Sequence, residues 1–207
     1  MPRPHVPAPP PGRPRSQEAR RAVLEAARVL FEERGYAGAT IEAVAARSGV
    51  AKTTIYRWWP NRASIMVELL VELAATAVPM PQGRDPMRAM RAELQEAAVA
   101  IDGMLGRLLT SLLGDAQQDP AVRSALVTGL FHPRTAASAS NIRRAQDAGA
   151  LRSDVPAELA VDLLFGPLFY RMFVGHQPIS DGFVRQILQY VVEGIGPGAV
   201  RRARKAR

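Results

Sequence analysis

A glycine and a proline limit the helix that residues 50–59 can form. Gly49 readily takes the positive φ of a tight turn. Pro60 disfavours the helical conformation in the residue before it, so a helix is not expected to run past Trp59. The sequence therefore predicts a short helix over about 52–59, entered from a glycine turn and closed by a proline.

A second short helix is predicted immediately before that turn. Thr40 is a favourable N-cap residue, and Ile41 and Val44 place apolar side chains on one helix face. A longer helix is predicted upstream, with Ser16 as its N-cap and Gly35 as its stop. Two short helices joined by a glycine turn, with a third helix ahead of them, are typical of a helix-turn-helix unit, whose second short helix enters the DNA major groove.

The only two tryptophans of the chain stand together at the end of the 52–59 helix. On a period of about 3.6 residues, Ile55 and Trp59 share one face, which predicts that Trp59 packs in the core. Trp58 lies at the edge of the opposite face. We expect Trp58 either at the DNA or packed against a neighbouring helix.

The opposite face of the same helix is polar and cationic. Lys52, Thr53 and Arg57 lie on the side that would face DNA. Thr54 and Tyr56 flank them, where hydroxyl groups can reach phosphate oxygens. The alternative is that these side chains only form a solvated surface.

Residues 40–65, TIEAVAARSGVAKTTIYRWWPNRASI, resemble the DNA-binding domain of the tetracycline-repressor (TetR) family. Residues 154–195 are also similar to the carboxy-terminal helices of one branch of that family. The resemblance implies a dimeric transcription factor, usually a repressor, with a small-molecule pocket in its carboxy-terminal bundle. By position it implies phosphate contacts from Thr40, Thr54, Tyr56 and Arg62, and positions near the bases for Lys52, Thr53, Arg57 and Trp58.

The remainder of the chain is predicted to be helical, because no stretch alternates apolar and polar residues as a strand does. After a helix that Asn61 caps, helices are predicted over 86–113, 119–148, 156–175 and 180–195. A break is expected near Gly103 or Gly106, and a kink at His132–Pro133. The predicted fold class is all-α: an N-terminal three-helix DNA-binding domain with a helix-turn-helix, followed by a helical ligand-binding and dimerisation bundle.

The last two predicted helices are apolar nearly all round, so each should be buried on more than one side. A second copy related by a twofold axis would form a four-helix interface that buries both. We therefore expect a homodimer, and a twofold dimer implies a palindromic operator on double-stranded DNA. The predicted interface comprises Leu164, Leu168, Phe183, Ile187 and Val191.

Pro167 is expected to bend helix 156–175, and a bent helix can leave a cavity beside it. Apolar side chains on the facing helices are candidate pocket walls, although apolar stripes more often form plain core. Few charges fall on these faces, which favours a small, largely apolar ligand over a strongly charged one. The candidates are Met90, Leu94, Ile101, Met104, Leu105, Leu108, Phe131, Phe165, Phe169 and Met172.

The positive charge of the chain is concentrated at its two ends. Residues 1–78 carry 11 basic and 7 acidic residues, residues 79–200 carry 11 and 12, and the final seven carry 5 and 0. Basic ends favour a polyanionic partner, either nucleic acid or an acidic membrane surface. The predicted domains are a disordered, basic, proline-rich arm over 1–15, a DNA-binding domain over 16–62, a ligand-binding and dimerisation domain over 63–196 and a basic disordered tail over 197–207.

Other classes of site find no support in the sequence. The chain has no cysteine, its histidines lack the spacing of a metal site, and no catalytic or nucleotide-binding motif occurs, so we predict no enzyme, metal or cofactor. Without an apolar run of about 18 residues or a secretory signal, we expect a cytoplasmic protein and no membrane partner. Two alternatives to a ligand-released repressor stay open: a regulator of the same fold without a ligand, and a helical enzyme or carrier.

Overall fold

The computed structural model describes residues 13–80 and 83–196, and every regular element in those ranges is helical. The elements are α1 (Arg13–Gly38), α2 (Ile41–Ser48), α3 (Lys52–Trp58), α4 (Arg62–Ala77), α5 (Pro86–Ile101), α6 (Met104–Gln118), α7 (Pro120–Leu126), a π-helical turn (Val127–Phe131), α8 (His132–Asp147), α9 (Ala157–Val174) and α10 (Asp181–Ile195). The all-α fold class is confirmed. The predicted tail and residues 1–12 of the predicted arm lie outside the described residues.

The chain divides into two compact units, Met1–Ile65 and Met66–Arg207. The division falls inside α4, three residues beyond the domain boundary that the sequence suggested after Arg62. The first unit contains the helix-turn-helix elements, and the second contains the helices proposed for ligand binding and dimerisation.

Helix α1 starts earlier and ends later than the sequence predicted. It begins at Arg13, so Ser16 lies within the helix and is not its N-cap. Pro14 is compatible with this start because the first N–H groups of a helix have no intrahelical partner. At Gly35 the backbone takes φ 67° and ψ −174°, which kinks the helix without ending it, and a last turn continues to Gly38.

Helix α2 is capped at its two ends by the residues that the sequence indicated, Thr40 and Gly49. The backbone N–H of Ala43 donates to Thr40 Oγ1 at 3.1 Å. Gly49 takes φ 69°, and its N–H donates to the Ala45 carbonyl at 3.0 Å. Because a left-handed conformation costs a residue with a Cβ roughly 1–2 kcal/mol, glycine suits the turn that leads into α3.

The inner face of α3 is buried as predicted. Ile55 is 0% exposed and Trp59 is 3% exposed. Trp59 lies just past the helix end, where its N–H donates to the Ile55 carbonyl at 2.9 Å. Helices α1 and α2 supply the neighbouring buried side chains Val23, Leu24, Ala26, Ala27, Leu30, Phe31, Ile41 and Val44.

In the second unit, α5 and α6 are separated at Asp102–Gly103, which confirms a break near Gly103. The two helices are bent by 78°. Among the described residues, no single helix is long and apolar enough to cross a membrane, although this bent pair reaches that length and hydropathy when combined. Buried core helices reach the same values, and both helices carry many buried residues.

A π-helical turn, Val127–Phe131, stands where the sequence predicted a kink at His132–Pro133. Proline has no N–H to donate, and its ring clashes with the carbonyl four residues earlier, which here belongs to Gly129. The helical ladder therefore widens ahead of Pro133, and α8 starts at His132. The irregularity lies upstream of the proline that causes it.

The core of the second unit draws on α5, α8, α9 and α10. Leu168 is 0% exposed, Leu164 1% and Ile187 6%. Their own chain covers these three side chains, so the expectation that they face a second copy is wrong. Phe183 and Val191 are only partly buried and pack against the same core.

Other apolar side chains on α9 are exposed instead. Leu159, Leu163, Tyr170 and Val174 recur at helical spacing on one side of the helix. Their exposed fractions are 48%, 43%, 61% and 55%. We refer to these four residues as the α9 stripe. It is an apolar surface that the described part of the chain leaves uncovered.

Candidate nucleic-acid interface and cavity

The structure brings four of the predicted DNA contacts to one exposed side of α3. These four residues share one helix face because their spacing is one, three and one residues, and each is exposed. They are Lys52, Thr53, Tyr56 and Arg57. Of the other predicted contacts in the first unit, Thr40 is exposed, whereas Thr54, Trp58 and Arg62 are half-buried. A polar and cationic surface is thus available on α3, opposite its buried face.

Lys52 already has an acidic partner within the chain. Its Nζ lies 2.9 Å from Glu42 Oε1, so the ammonium group bridges the starts of α3 and α2. The hydrogen bond from Lys52 lowers the pKa of the Glu42 carboxyl below its ordinary value. Both side chains are exposed, and exposed ion pairs are weak and screened by salt. A phosphate or base must compete with Glu42 for this lysine. Because the Lys52–Glu42 ion pair is weak, that competition costs little free energy.

Arg57 is the α3 cation that carries no intrachain ion pair among the described residues. Its guanidinium carbon lies 5.7 Å from the centroid of the Trp58 ring. That ring meets Trp59 edge to face, with centroids 5.5 Å apart and planes at 88°. Trp58 therefore packs on the core tryptophan and lies beside the exposed arginine, and its position at the DNA stays a prediction.

Arg62 lies against the last turn of α1, which the sequence did not predict. Its guanidinium carbon is 4.2 Å from the centroid of the Tyr36 ring. Its Nη1 donates to the carbonyls of Tyr36 at 3.4 Å and Ala37 at 3.5 Å. The side chain thus ties the start of α4 to the end of α1, and a phosphate contact from it stays a prediction.

A cavity of about 400 Å³ lies within the second unit. Five of the ten predicted pocket residues line it: Ile101, Leu105, Phe131, Phe165 and Phe169. The other five do not: Leu94 and Leu108 are fully buried core, Met104 and Met172 are half-buried, and Met90 lines a separate cavity of about 420 Å³ between α5 and α10. Half of the predicted residues therefore line this cavity, and their contact with a ligand stays a prediction.

The cavity has a polar side that the sequence analysis missed. Glu93, Arg134 and Ser138 line it, although the expectation was a lining with few charges. The Ser138 hydroxyl donates to Glu93 Oε1 at 2.7 Å, and Glu93 is only 3% exposed. Burial raises the pKa of the Glu93 carboxyl above its ordinary value, while the Ser138 hydrogen bond and the Arg134 charge oppose that shift. The available signal was spacing, because Glu93 falls on the apolar side of α5 beside Leu94 and Ala97.

Arg134 joins the cavity wall to the end of α4. Its Nη2 donates to the Val78 carbonyl at 2.7 Å, and its Nη1 donates to the Ala74 carbonyl at 3.4 Å. The Ala74 carbonyl also accepts from the Val78 N–H at 3.0 Å, and Val78 directly follows the carboxyl end of α4, where a cation is favourable. Burial lowers the pKa of the Arg134 guanidinium, and Glu93 opposes that shift. We refer to these two hydrogen bonds as the Arg134 clamp.

Within the described residues, no three histidine, aspartate or glutamate side chains come together as metal ligands. The exposed side of α3 and the cavity that Glu93 lines are two surfaces that could serve recognition.

Comparison with known families matches both units. Residues 23–69, which contain α2 and α3, match the model described as bacterial regulatory proteins, tetR family. Residues 80–191, which contain most of the cavity lining, match the model described as tetracyclin repressor-like, C-terminal domain.

Individual relatives are similar over most of the chain. YdeS of Bacillus subtilis (strain 168), an uncharacterized HTH-type transcriptional regulator, is 28% identical over 89% of this chain and 93% of its own length. The crystal structure of the TetR family transcription regulator SCO0332 has a TM-score of 0.75 and 31% identity, over 87% of this chain and all of that one. Thermus thermophilus FadR, a transcriptional repressor solved with lauroyl-CoA, has a TM-score of 0.67 and 21% identity over 84% of this chain and 94% of its own, and shares the fold.

Proposed function

The chain belongs to the TetR family of bacterial regulatory proteins, and from that premise we propose that it is a dimeric, cytoplasmic repressor that leaves its operator when a small molecule enters the cavity. Its family consists of transcriptional regulators and not of enzymes, which removes the alternative of a helical enzyme or carrier. The observation that carries the proposal is the exposed polar side of α3, which stands directly opposite a buried Ile55.

Arg57 is the residue that we propose reads a base. Its planar guanidinium can donate two hydrogen bonds to one guanine in the major groove. Lys52 and Thr53 lie on the same side of α3, close enough in sequence to reach neighbouring base edges. Thr40, Thr54 and Tyr56 have hydroxyl groups that can donate to phosphate oxygens, and such contacts would fix the register of α3 in the groove.

The α9 stripe supports a homodimer. Leu159, Leu163, Tyr170 and Val174 are large, exposed and on one side of a helix, which is unfavourable in water unless another surface covers them. A second copy related by a twofold axis presents the same stripe in return. Such a dimer would hold two α3 helices about 34–36 Å apart, or a multiple of that, and would match a palindromic operator.

The Arg134 clamp is the part of the cavity through which we propose a ligand acts. Helix α4 runs without a break from Arg62 to Ala77, and the clamp holds its carboxyl end. A ligand that displaces the Arg134 side chain would free that end, and a rigid helix would carry the shift toward Arg62. A ligand changes DNA affinity only if it binds the two states unequally, and a typical coupling of about 1–3 kcal/mol would weaken operator binding by roughly 5- to 150-fold.

Salt dependence tests whether the first unit binds the DNA backbone. Binding of the full chain to a labelled duplex, measured by fluorescence anisotropy, is expected to weaken steeply as salt rises, because cations release counterions from phosphates. Arg62→Ala is expected to flatten the slope of log K against log salt by about 1 for each half-site.

Two matched variants separate charge from structure in that experiment. Arg62→Lys keeps the charge and is expected to keep the wild-type slope. Arg28→Ala removes a cation that pairs with Glu25 and Glu32 within α1, so it is expected to leave the slope unchanged. A wild-type slope in a folded Arg62→Ala protein would remove Arg62 from the phosphate contacts and leave it a structural role against the last turn of α1.

A further inference from the structure

Glu93 is an incompletely partnered carboxylate at the wall of an otherwise largely apolar cavity. It is 3% exposed, and its Oε1 accepts a hydrogen bond from Ser138. Among the described residues, no hydrogen bond reaches its second oxygen, Oε2. Oε2 is not among the fully buried polar atoms that lack a partner, and Glu93 lines the cavity, so this oxygen is open to a group that enters there.

The charges around the cavity do not favour an anion beside Glu93. Asp162 also lines the cavity, from α9, and adds a second acidic side chain. Arg134 is the single basic residue of the lining, and its two terminal nitrogens already donate to the α4 carbonyls of Ala74 and Val78. The lining thus contains two acidic residues, of which Asp162 is exposed, and one basic residue that already donates to two backbone carbonyls.

The rest of the lining is apolar and large enough for a small organic molecule. Ile101, Leu105, Phe131, Phe165 and Phe169 supply aliphatic and aromatic surface from four different elements. The volume of about 400 Å³ lies within the range of small-molecule sites, roughly 300–1,000 Å³. The cavity therefore suits an apolar body with one polar group directed at Glu93.

We infer that the ligand of this cavity is an apolar molecule whose polar head donates hydrogen bonds and carries no negative charge, and that Glu93 Oε2 accepts from that head. The inference rests on the proposed function, since it names the ligand class for the same cavity. It also refines the expectation of a lining with few charges: the body of the ligand is apolar, but its head is selected by a carboxylate.

A series of three probes with one two-ring body tests the inference: 2-naphthylmethylamine, 2-naphthylmethanol and 2-naphthoate. Titration calorimetry on the full chain without DNA is expected to show the amine and the alcohol binding at least about tenfold more tightly than the carboxylate, because each can donate a hydrogen bond to Glu93 whereas the carboxylate cannot. Failure of all three to bind, or a preference for 2-naphthoate, would overturn the inference.

Glu93→Gln is the variant that tests the carboxylate, since it preserves the shape of the side chain, removes its charge and replaces one acceptor oxygen by an NH2 donor. The amine is expected to lose about tenfold or more in affinity, and its advantage over 2-naphthoate should disappear. Glu96→Gln removes the neighbouring exposed carboxylate of α5 and is expected to leave the order of the three probes unchanged. An unchanged amine-to-carboxylate ratio in Glu93→Gln would contradict a role for Glu93 in ligand recognition.

The same probes in a DNA-binding assay distinguish this inference from the proposed function. Probe binding in the predicted order without release of DNA would support the ligand class and count against ligand-released repression. DNA binding that another compound abolishes, with no binding of the amine or alcohol, would overturn the ligand class and leave the repressor proposal standing.

Discussion

Arg57→Ala is expected to lose most of the discrimination between the operator and unrelated DNA. The operator is here the duplex that the wild-type chain enriches from a random library. A bidentate contact from arginine to guanine is worth about 1–3 kcal/mol, and a twofold dimer makes it twice. Operator affinity should therefore fall by roughly 30-fold or more, whereas affinity for a shuffled duplex should fall by less than about tenfold.

Arg57→Lys is the matched control for that experiment. It keeps the positive charge but replaces the planar guanidinium by a single ammonium group, so it is expected to lose discrimination while keeping the salt dependence of the wild type. Competition binding against both duplexes at one salt concentration measures the effect. If Arg57→Ala weakens operator and shuffled duplex by the same factor, Arg57 contacts phosphate and reads no base.

Leu163→Glu is expected to separate the dimer without unfolding the chain. Leu163 is 43% exposed on the α9 stripe, so a charge there can be solvated in a monomer but not between two copies. An uncompensated charge at a buried position costs about 3–5 kcal/mol, and the twofold interface would contain two of them. Dimerisation should weaken by roughly 100-fold or more, as seen in sedimentation, and operator binding should fall with it.

Two other variants define what that result means. Val99→Glu places the same charge on a valine of α5 that is 74% exposed and outside the α9 stripe, so the dimer should persist. Ile187→Glu places the charge in the core of one chain and is expected to unfold it, with loss of the helical circular dichroism signal. A Leu163→Glu protein that remains fully dimeric would show that the interface does not include the α9 stripe.

Local signals were sufficient to predict the helix-turn-helix elements. The signals are local because each affects only the backbone next to it. They are the N-cap of Thr40, the positive φ of Gly49 and the restriction that Pro60 places on the residue before it. The helical period of about 3.6 residues was enough to predict that Trp59 lies on the buried side and not on the exposed side of α3. The contact of Arg62 with Tyr36 could not be predicted in this way, because it joins residues 26 apart that meet only when the start of α4 lies against the end of α1.

The second unit was harder to predict because the burial of a side chain there depends on which other helix packs against it. Leu164 and Leu168 are apolar, and so is Leu163, but the first two are buried in the chain and the third is exposed. A helix that is apolar nearly all round gives no period from which to separate these faces. The burial of Glu93 was missed for another reason. A charged residue is ordinarily assigned to the surface, and its buried partner Ser138 is 45 residues away in the sequence.

The most direct measurement is the ratio of the dissociation constants of the wild-type chain for a shuffled duplex and for its enriched operator, at equal length, composition and near-physiological salt. A sequence-specific regulator is expected to give a ratio of about 1,000 or more, because base contacts add to a backbone affinity that both duplexes share. A ratio below about 10 would mean that the chain binds DNA only through its charge, and would contradict the assignment of α3 as the helix that reads base sequence.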